Sequence, residues 1–434
     1  MAEITIHRGT NAIGGSCIEI KSGKTRIIFD LGKPLMENGG GEIDENNLNN
    51  PSIENKILPN LKGLYKNDKP DIEAVFISHA HHDHCGLLNQ INPEIPVYMS
   101  RGTRLLIETG NVFYPESLKV HIKNIKNFEH WKPVEIGPFK ITSYLADHSG
   151  FDASSFLIEV ENKKIFYSGD FRGHGRKSVL LDNFEKHPFK NIDCLIMEGT
   201  TLGNNHNTGY ASETAIEKGL SGWFAIQTDI GFIQAAGSNI DRIVSIYRAC
   251  LKNKKIFVMD LYTYYLLTQL KQVSPSLPPH KNDNIRIYYI AGHSCAIAEN
   301  LGSSFLYENK HRKIELDEII EKREDIILRL PLKAADKIAQ KLAAKQKFRY
   351  SPFIFSMWKG YLDNDDSYEA FCKKYSLIMH HVHVSGHAYL KDLKRFCKAL
   401  KAKKIVPVHT LHSDMFSDLF ENVYRYEDGV TFEV

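Results

Sequence analysis

The chain has 434 residues, of which 42% are hydrophobic and 25% charged, and its formal net charge at pH 7 is +3. This length exceeds one ordinary hydrophobic core and predicts two domains, and the composition is that of a globular protein rather than a disordered or fibrous one. The small net charge excludes a protein that is basic over its whole surface, so binding of a polyanionic partner would require a local basic patch.

The seven cysteines are odd in number, scattered, and never spaced as Cys-x-x-Cys. This usage argues against a disulfide framework and against a cysteine-type zinc site. No apolar run approaches the about 18–20 residues of a membrane span, and the first residues show no basic and then apolar secretion signal. We therefore expect a cytoplasmic protein.

The order of predicted elements indicates an α/β sandwich of two sheets with helices outside. Apolar or alternating runs predict strands at 3–8, 16–20, 25–30, 74–77, 134–144, 154–160, 163–168 and 195–198, a surface loop at 37–55 and a helix near 101–111. From about 212 to 384 helices dominate, including the charged stretch 314–329, which Pro331 ends, with short strands at 255–259 and 286–290. Strands at 378–384 and 404–409 flank a helix at 389–400, and Pro407 favours an edge position for the last of them.

We interpret residues 204–385, which begin with an Asn/His/Thr/Gly-rich linker, as a second α/β domain inserted into the first. The predicted boundaries are 1–203 for the first part of the outer domain, 204–385 for the insert, and 386–434 for the return segment.

The segment that follows the strand at 74–77 contains His79, His81, Asp83 and His84. Neutral imidazole and carboxylate are ligands of Zn²⁺, and two histidines two residues apart point the same way in extended backbone. Four ligands bunched this closely predict two metals side by side.

Further acids and imidazoles follow other predicted strands. Asp30, His148, Asp170, Glu198 and His409 each stand at or just after a strand end. Strand ends are where a sheet presents side chains to a shared cleft, so His148 and Asp170 join the candidate metal ligands.

In this order the residues resemble the motifs of the metallo-β-lactamase fold: Asp30, the His-x-His-x-Asp-His at 79–84, His148 and Asp170. The rest is similar to the β-CASP nucleases of that fold, in particular the ribonuclease J-like ones. Three segments carry the narrower match, namely Glu198-Gly199-Thr200, Ser385-Gly386-His387-Ala388 and Pro407-Val408-His409, and Gly237-Ser238-Asn239 is a weaker similarity to the β-CASP insert.

The resemblance implies a metallo-β-lactamase αββα sandwich with an inserted α/β β-CASP domain. It implies one metal on His79, His81 and His148, a second on Asp83, His84 and His409, Asp170 as the bridge between them, and Asp30 in support of a ligand histidine. Zinc suits these ligands best, and Mn²⁺ is an alternative.

The implied activity is a two-metal hydroxide attack on phosphodiester bonds of single-stranded RNA, with RNA favoured over DNA. Asp83 is expected among the catalytic residues, and His387, polarised by Glu198, is expected to assist the leaving group. The substrate-binding residues would be Ser385, Gly386, Ala388, Ser238 and Asn239. Endonuclease and 5′-3′ exonuclease activity both remain open.

Two other readings stay open. The protein could be a small-molecule hydrolase of the same fold, acting on a (thio)ester or lactone, or a binding protein with an inactive site; the full ligand set argues against the second. Lys333, Lys337, Lys341 and Lys345 recur every four residues and share one helix face. We interpret that row as a solvated face, with a phosphate-facing stripe as the alternative.

Overall fold

The computed structural model describes residues 1–37, 40–203, 209–281 and 283–434. The chain divides into two compact units: the first comprises the described residues of 1–206 and 386–434, and the second those of 207–385. Residues 204–208, which form most of the predicted linker, and residues 38 and 39 of the predicted loop lie outside the described part. In that described part, no helix combines the length and apolar character that crossing a membrane requires.

The first unit starts with strands and short helices in alternation. Its elements before the insert are β1 (Ala2–Arg8), β2 (Cys17–Ser22), β3 (Thr25–Phe29), α1 (Glu45–Asn49), β4 (Ala74–Phe76), α2 (His82–Cys85), β5 (Val97–Met99), α3 (Arg101–Phe113), β6 (Ile125–Asn127), β7 (Pro133–Ile136), β8 (Phe139–Leu145), β9 (Ser154–Val160), β10 (Lys163–Tyr167), α4 (Val179–Lys186) and β11 (Cys194–Glu198). Single 3₁₀ turns lie at Leu88–Gln90 and Glu116–Leu118.

The second unit alternates helices with short strands. Its elements are α5 (Glu213–Ile226), β12 (Gly231–Gln234), α6 (Ile240–Lys252), β13 (Ile256–Asp260), α7 (Leu261–Leu270), β14 (Ile285–Tyr288), α8 (Ala291–Leu301), α9 (Ser304–Glu308), α10 (Leu316–Glu321), β15 (Ile326–Arg329), α11 (Leu332–Lys345), β16 (Pro352–Phe355), α12 (Gly360–Asp363), α13 (Ser367–Tyr375) and β17 (Ile378–His381), with 3₁₀ turns at Lys310–Arg312 and Arg323–Asp325. The chain then returns to the first unit with α14 (Leu390–Leu400), β18 (Lys404–Val408), α15 (Met415–Leu419) and β19 (Thr431–Glu433).

Two sheets pack face to face in the first unit. Over the described residues their strand orders are β19-β1-β2-β3-β4-β5-β6 and β18-β11-β10-β9-β8-β7. Apolar side chains of both inner faces form one core, with Phe29 and Phe76 from the first sheet against Phe156 and Tyr167 from the second. On the outer face of the second sheet, Phe396 of α14 and Leu181 of α4 pack on Phe166 and its neighbours. The predicted α/β sandwich is therefore confirmed.

The sheet of the second unit is parallel throughout, in the order β14-β13-β15-β12-β16-β17. Its helices bury apolar faces against it; Ile338 and Leu342 of α11, for example, join Phe232 and Phe353 of the strands in one cluster. An α/β second unit is what the helix-rich sequence predicted.

Three details of the sequence analysis need correction. The stretch 314–329 is not one helix: only Leu316–Glu321 is α-helical, and Ile326–Arg329 is a fully buried strand in the middle of the sheet. The predicted strand at 134–144 is a hairpin of two strands, and α1 lies inside the predicted loop at 37–55. The expected edge position of the strand that contains Pro407 is confirmed, because β18 ends its sheet.

Candidate metal centre

The candidate ligands lie where strands of both sheets end. In the first sheet β3 and β4 are parallel neighbours, so Asp30 and the segment from Ser78 onward emerge side by side. In the second sheet β10, β11 and β18 are parallel neighbours, and Asp170, Glu198 and His409 stand at or beyond their carboxyl ends. Parallel strands present their carboxyl ends at one edge, which is why residues far apart in sequence meet here.

Three imidazoles form the first cluster. His81 Nδ1 lies 3.0 Å from His79 Nε2 and 3.2 Å from His148 Nε2. Ligands at the usual Zn–N distance in a tetrahedral site are separated by about 3.3 Å. These three residues also form a group whose donor atoms all lie within 4.8 Å of one another. The three nitrogens are therefore spaced as ligands of one cation.

Hydrogen bonds on the other ring nitrogens assign the tautomers of two of these histidines. His148 Nδ1 lies 2.7 Å from the carbonyl oxygen of Gly386, so it must carry the proton and donate. His79 Nδ1 lies 3.0 Å from Ser78 Oγ, whose own proton goes to Asp30 Oδ2. In both neutral rings Nε2 is left with its lone pair, which is the form that binds a metal.

Asp83, His84 and His409 form the second cluster. His409 Nε2 lies 3.2 Å from Asp83 Oδ2, and His84 Nε2 lies 3.9 Å from the same oxygen. His84 Nδ1 lies 2.8 Å from Asp30 Oδ2, so Asp30 orients His84 in the way expected of a carboxylate behind a metal ligand.

Asp170 lies between the clusters. Its Oδ2 is 3.1 Å from His84 Nε2, 3.6 Å from His79 Nε2 and 3.9 Å from His148 Nε2. Asp170 is only 1% exposed, and neither its two oxygens nor His84 Nε2 has a hydrogen-bond partner. Burying a carboxylate that accepts no hydrogen bond is costly, and the nearest imidazole nitrogens stand 3.1–3.9 Å from its Oδ2, so the donor set fits cations that Asp170 would contact.

The electrostatics keep most of these groups in their ligand forms. Burial, reinforced by neighbouring imidazoles, holds the pKa of His79 and of His148 well below its usual value, and burial lowers the pKa of His81 to about 4. Burial would raise the pKa of Asp170, but the surrounding histidines outweigh it and hold that pKa well below its usual range. His84 is the exception: burial opposes its charge, but the carboxylates around it, Asp170 first, raise its pKa. That excess of negative charge is what a cation would neutralise.

A chain of hydrogen bonds connects the second cluster to a further histidine. Glu198 Oε2 lies 3.2 Å from His387 Nδ1 and accepts from Thr200 Oγ1 at 2.6 Å. Thr200 Oγ1 lies 2.8 Å from His409 Nδ1. Because the Thr200 proton goes to Glu198, the hydroxyl oxygen accepts a hydrogen bond from His409 Nδ1. In a neutral ring, His409 Nε2 then keeps its lone pair on the side that faces Asp83.

The sequence analysis did not assign a role to Thr200 or to Tyr167. Thr200 lies within a segment that carried the resemblance, and its position two residues after Glu198 was the available signal. Tyr167 donates its hydroxyl proton to Asp30 Oδ2 at 2.7 Å. In the sequence it is one of several apolar residues of a predicted strand, and nothing there distinguishes it as a site residue. Asp30 and His409 also share a left-handed backbone, with φ of +59° and +51°, a conformation that costs energy in residues other than glycine.

The residues predicted to bind substrate fall in both units. A side chain on Gly386 would overlap Ser149, and Ala388 is fully buried, with its carbonyl oxygen accepting from Thr201 Oγ1 at 2.6 Å. Ser385 and the loop with Ser238 and Asn239 belong to the second unit. Asn239 caps α6 by accepting from Arg242 N at 3.1 Å. A substrate-binding role for these residues stays a prediction.

Comparisons with known proteins agree with this fold. Residues 48–220 match the model of the "Beta-lactamase superfamily domain", and residues 376–426 match the "Zn-dependent metallo-hydrolase RNA specificity domain". The chain belongs to the metallo-β-lactamase superfamily. Within it, the chain is 24% identical to Ribonuclease J of Helicobacter pylori (strain ATCC 700392 / 26695) over an alignment 464 positions long, which covers 100% of this chain and 60% of that protein. The chain thus spans about three fifths of that relative.

Two other relatives align with a shorter part of the chain. The RNase J-like protein of Methanocaldococcus jannaschii is 28% identical over 209 residues, covering 46% of this chain and 43% of that protein. Cleavage and polyadenylation specificity factor subunit 3 of Dictyostelium discoideum is 24% identical over 217 residues, covering 46% of this chain and 26% of that protein. A crystal structure of a protein of unknown function from Enterococcus faecalis V583 has the same fold, with a TM-score of 0.78, 22% identity and 99% coverage of both chains.

Proposed function

We propose that this protein is a metal-dependent ribonuclease that hydrolyses phosphodiester bonds of single-stranded RNA. The observation that carries the proposal is the pair of ligand clusters joined by the buried Asp170, whose oxygens accept no hydrogen bond, with His387 beside them, its Nδ1 3.6 Å from Asp170 Oδ2. A carboxyl ester needs only one polarised oxygen, whereas a phosphodiester places one negative charge, shared by two non-bridging oxygens, and a poor leaving group in the site.

The comparisons support RNA as the substrate class. The return segment matches an RNA specificity domain, and the relative that aligns along the whole chain is a ribonuclease. This chain covers only 60% of that relative's length. We therefore extend the relative's activity to this chain as a proposal.

His79, His81 and His148 would hold one cation, Asp83, His84 and His409 would hold the other, and Asp170 would contact both. Two divalent cations, zinc best suited and manganese possible, would supply Lewis-acid polarisation of the phosphoryl oxygens and a water of lowered pKa. Asp83 has the most exposed carboxylate of the two clusters, its side chain being 13% exposed. It is placed to accept a hydrogen bond from the attacking water.

We infer that His387 protonates the leaving oxygen. Burial opposes its protonation, but Glu198 and then Asp170 outweigh burial and raise its pKa to about 9. Nδ1 lies 3.2 Å from Glu198 Oε2, and the His387 side chain is 22% exposed. We assign the transferred proton to Nε2 as part of the proposal. General acids of this kind contribute about 10²–10⁴ in rate.

The test is incubation of the purified protein with 5′-labelled single-stranded RNA and with the DNA of the same sequence, each with and without a chelator. We expect cleavage of RNA that the chelator abolishes and that zinc or manganese restores. Ladders would indicate an endonuclease and mononucleotides a 5′-3′ exonuclease.

A matched pair of variants separates the site from its surroundings. His79→Ala should abolish cleavage, whereas His82→Ala, in the same segment but outside both clusters, should retain it. Turnover of a thioester or lactone without cleavage of either polymer would refute the ribonuclease proposal and favour a small-molecule hydrolase.

A further inference from the structure

Helix α11 of the second unit presents a row of lysines along one side. Lys333, Lys337, Lys341 and Lys345 are all exposed, while Ile338 and its apolar neighbours on the opposite side are buried in the core. Residues four apart rise about 6 Å along the helix and turn by about 40°. The row is therefore a continuous stripe about 18 Å long that winds slowly around the helix.

The positive charge of this stripe is concentrated and not neutralised. The helix carries four lysines and one aspartate, a net +3 that equals the formal charge of the whole chain. Over the described residues none of the four lysines takes part in an ion pair. The single acid, Asp336, is 2.8 Å from Lys374 Nζ of the neighbouring α13 and is therefore already paired.

The stability of the helix does not account for this arrangement. Like charges four residues apart destabilise a helix, and Lys333 stands in the first turn, where the helix dipole disfavours a cation. A solvated surface helix normally mixes acids with its lysines, and opposite charges at this spacing would have stabilised it. The stripe thus costs stability, and a polyanion is the ligand that its chemistry fits.

We propose that the lysine stripe of α11 binds phosphates of the single-stranded RNA substrate. This inference rests on the ribonuclease proposal and adds to it a second binding surface for the chain of the substrate. Lysine ammonium groups act as point charges on phosphate. Binding at the stripe is therefore expected to be independent of base sequence and strongly dependent on salt.

The test is the salt dependence of binding by the chelator-treated full-length protein, with a fluorescein-labelled single-stranded RNA of about 20 nucleotides as the probe. The stripe variant replaces the four lysines by glutamine. The control variant changes the net charge equally by replacing four exposed lysines of the first unit that are also outside any ion pair, Lys24, Lys62, Lys66 and Lys126. Thermal unfolding of each variant is measured alongside, and the stripe variant should be at least as stable as the parent.

Each phosphate of a single strand that a variant no longer neutralises should lower the slope of log K against log salt by about 0.7. We expect the slope of the stripe variant to fall by about 2–3 and its affinity near 0.1 M salt to fall on the order of 10²-fold, while the control variant stays close to the parent. An unchanged slope in the stripe variant, or equal changes in both variants, would overturn the proposal. Because binding is measured without metal, a failure of the ribonuclease proposal would appear separately, as an absence of cleavage by the metal-loaded parent.

Discussion

Replacing Thr200 by valine should weaken the second metal site without disturbing the first. Valine has the shape of threonine but lacks the hydroxyl that lies 2.8 Å from His409 Nδ1 and 2.6 Å from Glu198 Oε2. In the variant His409, which is 2% exposed, loses the acceptor that fixes its tautomer, and its Nε2 is no longer reserved for a cation.

The size of the effect follows from the bonds removed. A buried donor without its partner costs about 1–3 kcal/mol, and loss of the group behind a metal-binding histidine typically weakens the metal by about 10–100-fold, which corresponds to about 1.4–2.7 kcal/mol. Thr200→Ser keeps the hydroxyl and should bind both metals within a few-fold of the parent.

The assay is competition for zinc with a chromogenic chelator, which resolves two binding steps. The control is Thr201→Val, because the Thr201 hydroxyl donates to Ala388 O instead, at 2.6 Å, and among the described residues it has no hydrogen bond to either ligand cluster. That variant should lose stability with metal affinity unchanged. Two zinc ions bound by Thr200→Val with the affinity of the parent would show that the hydrogen-bond chain does not support the site.

Three further outcomes are expected. His387→Ala should retain both metals but lose about 10²–10⁴ in turnover on RNA; normal turnover would remove His387 from the mechanism. Asp83→Ala should retain one equivalent of metal by elemental analysis, and two equivalents would contradict the ligand assignment. Burial and then Arg242 lower the pKa of His383 to about 2 in the folded chain, whereas the unfolded value is about 6.5. Below pH 6.5 the unfolded chain binds a proton on His383 that the folded chain does not bind. The free energy of unfolding of the metal-free parent, relative to that of His383→Gln, should therefore fall by about 2 kcal/mol from pH 6.5 to 5. A pH-independent difference between these two proteins would contradict the buried, neutral state of His383.

The sequence was most informative where the chemistry is local. His79, His81, Asp83 and His84 lie within six residues, so their approach needs only one strand and one turn of helix. The sequence also indicated which residues at strand ends could belong to a site, because an acid or imidazole that follows a buried strand lies at the edge of the sheet.

The sequence could not show contacts that depend on the pairing of strands far apart along the chain. The contact between Thr200 and His409 exists because β11 and β18 run parallel in a particular register, with Glu198 opposite Val408. The strand Ile326–Arg329 was hidden for another reason. It is four residues long and buried on both faces, so it has no alternation, and the charged residues before it extended the apparent helix.

The ligands of the two clusters lie at different places along the chain, so the two clusters are completed at different times during synthesis. The first cluster is complete once residue 148 has been synthesised, and even Asp170 follows soon after. The second cluster requires His409, 326 positions after its neighbour Asp83, on a strand that adds last to the edge of its sheet. Under the proposed assignment, a growing chain would therefore pass through a long interval in which the ligands of the first cation have been synthesised and those of the second have not.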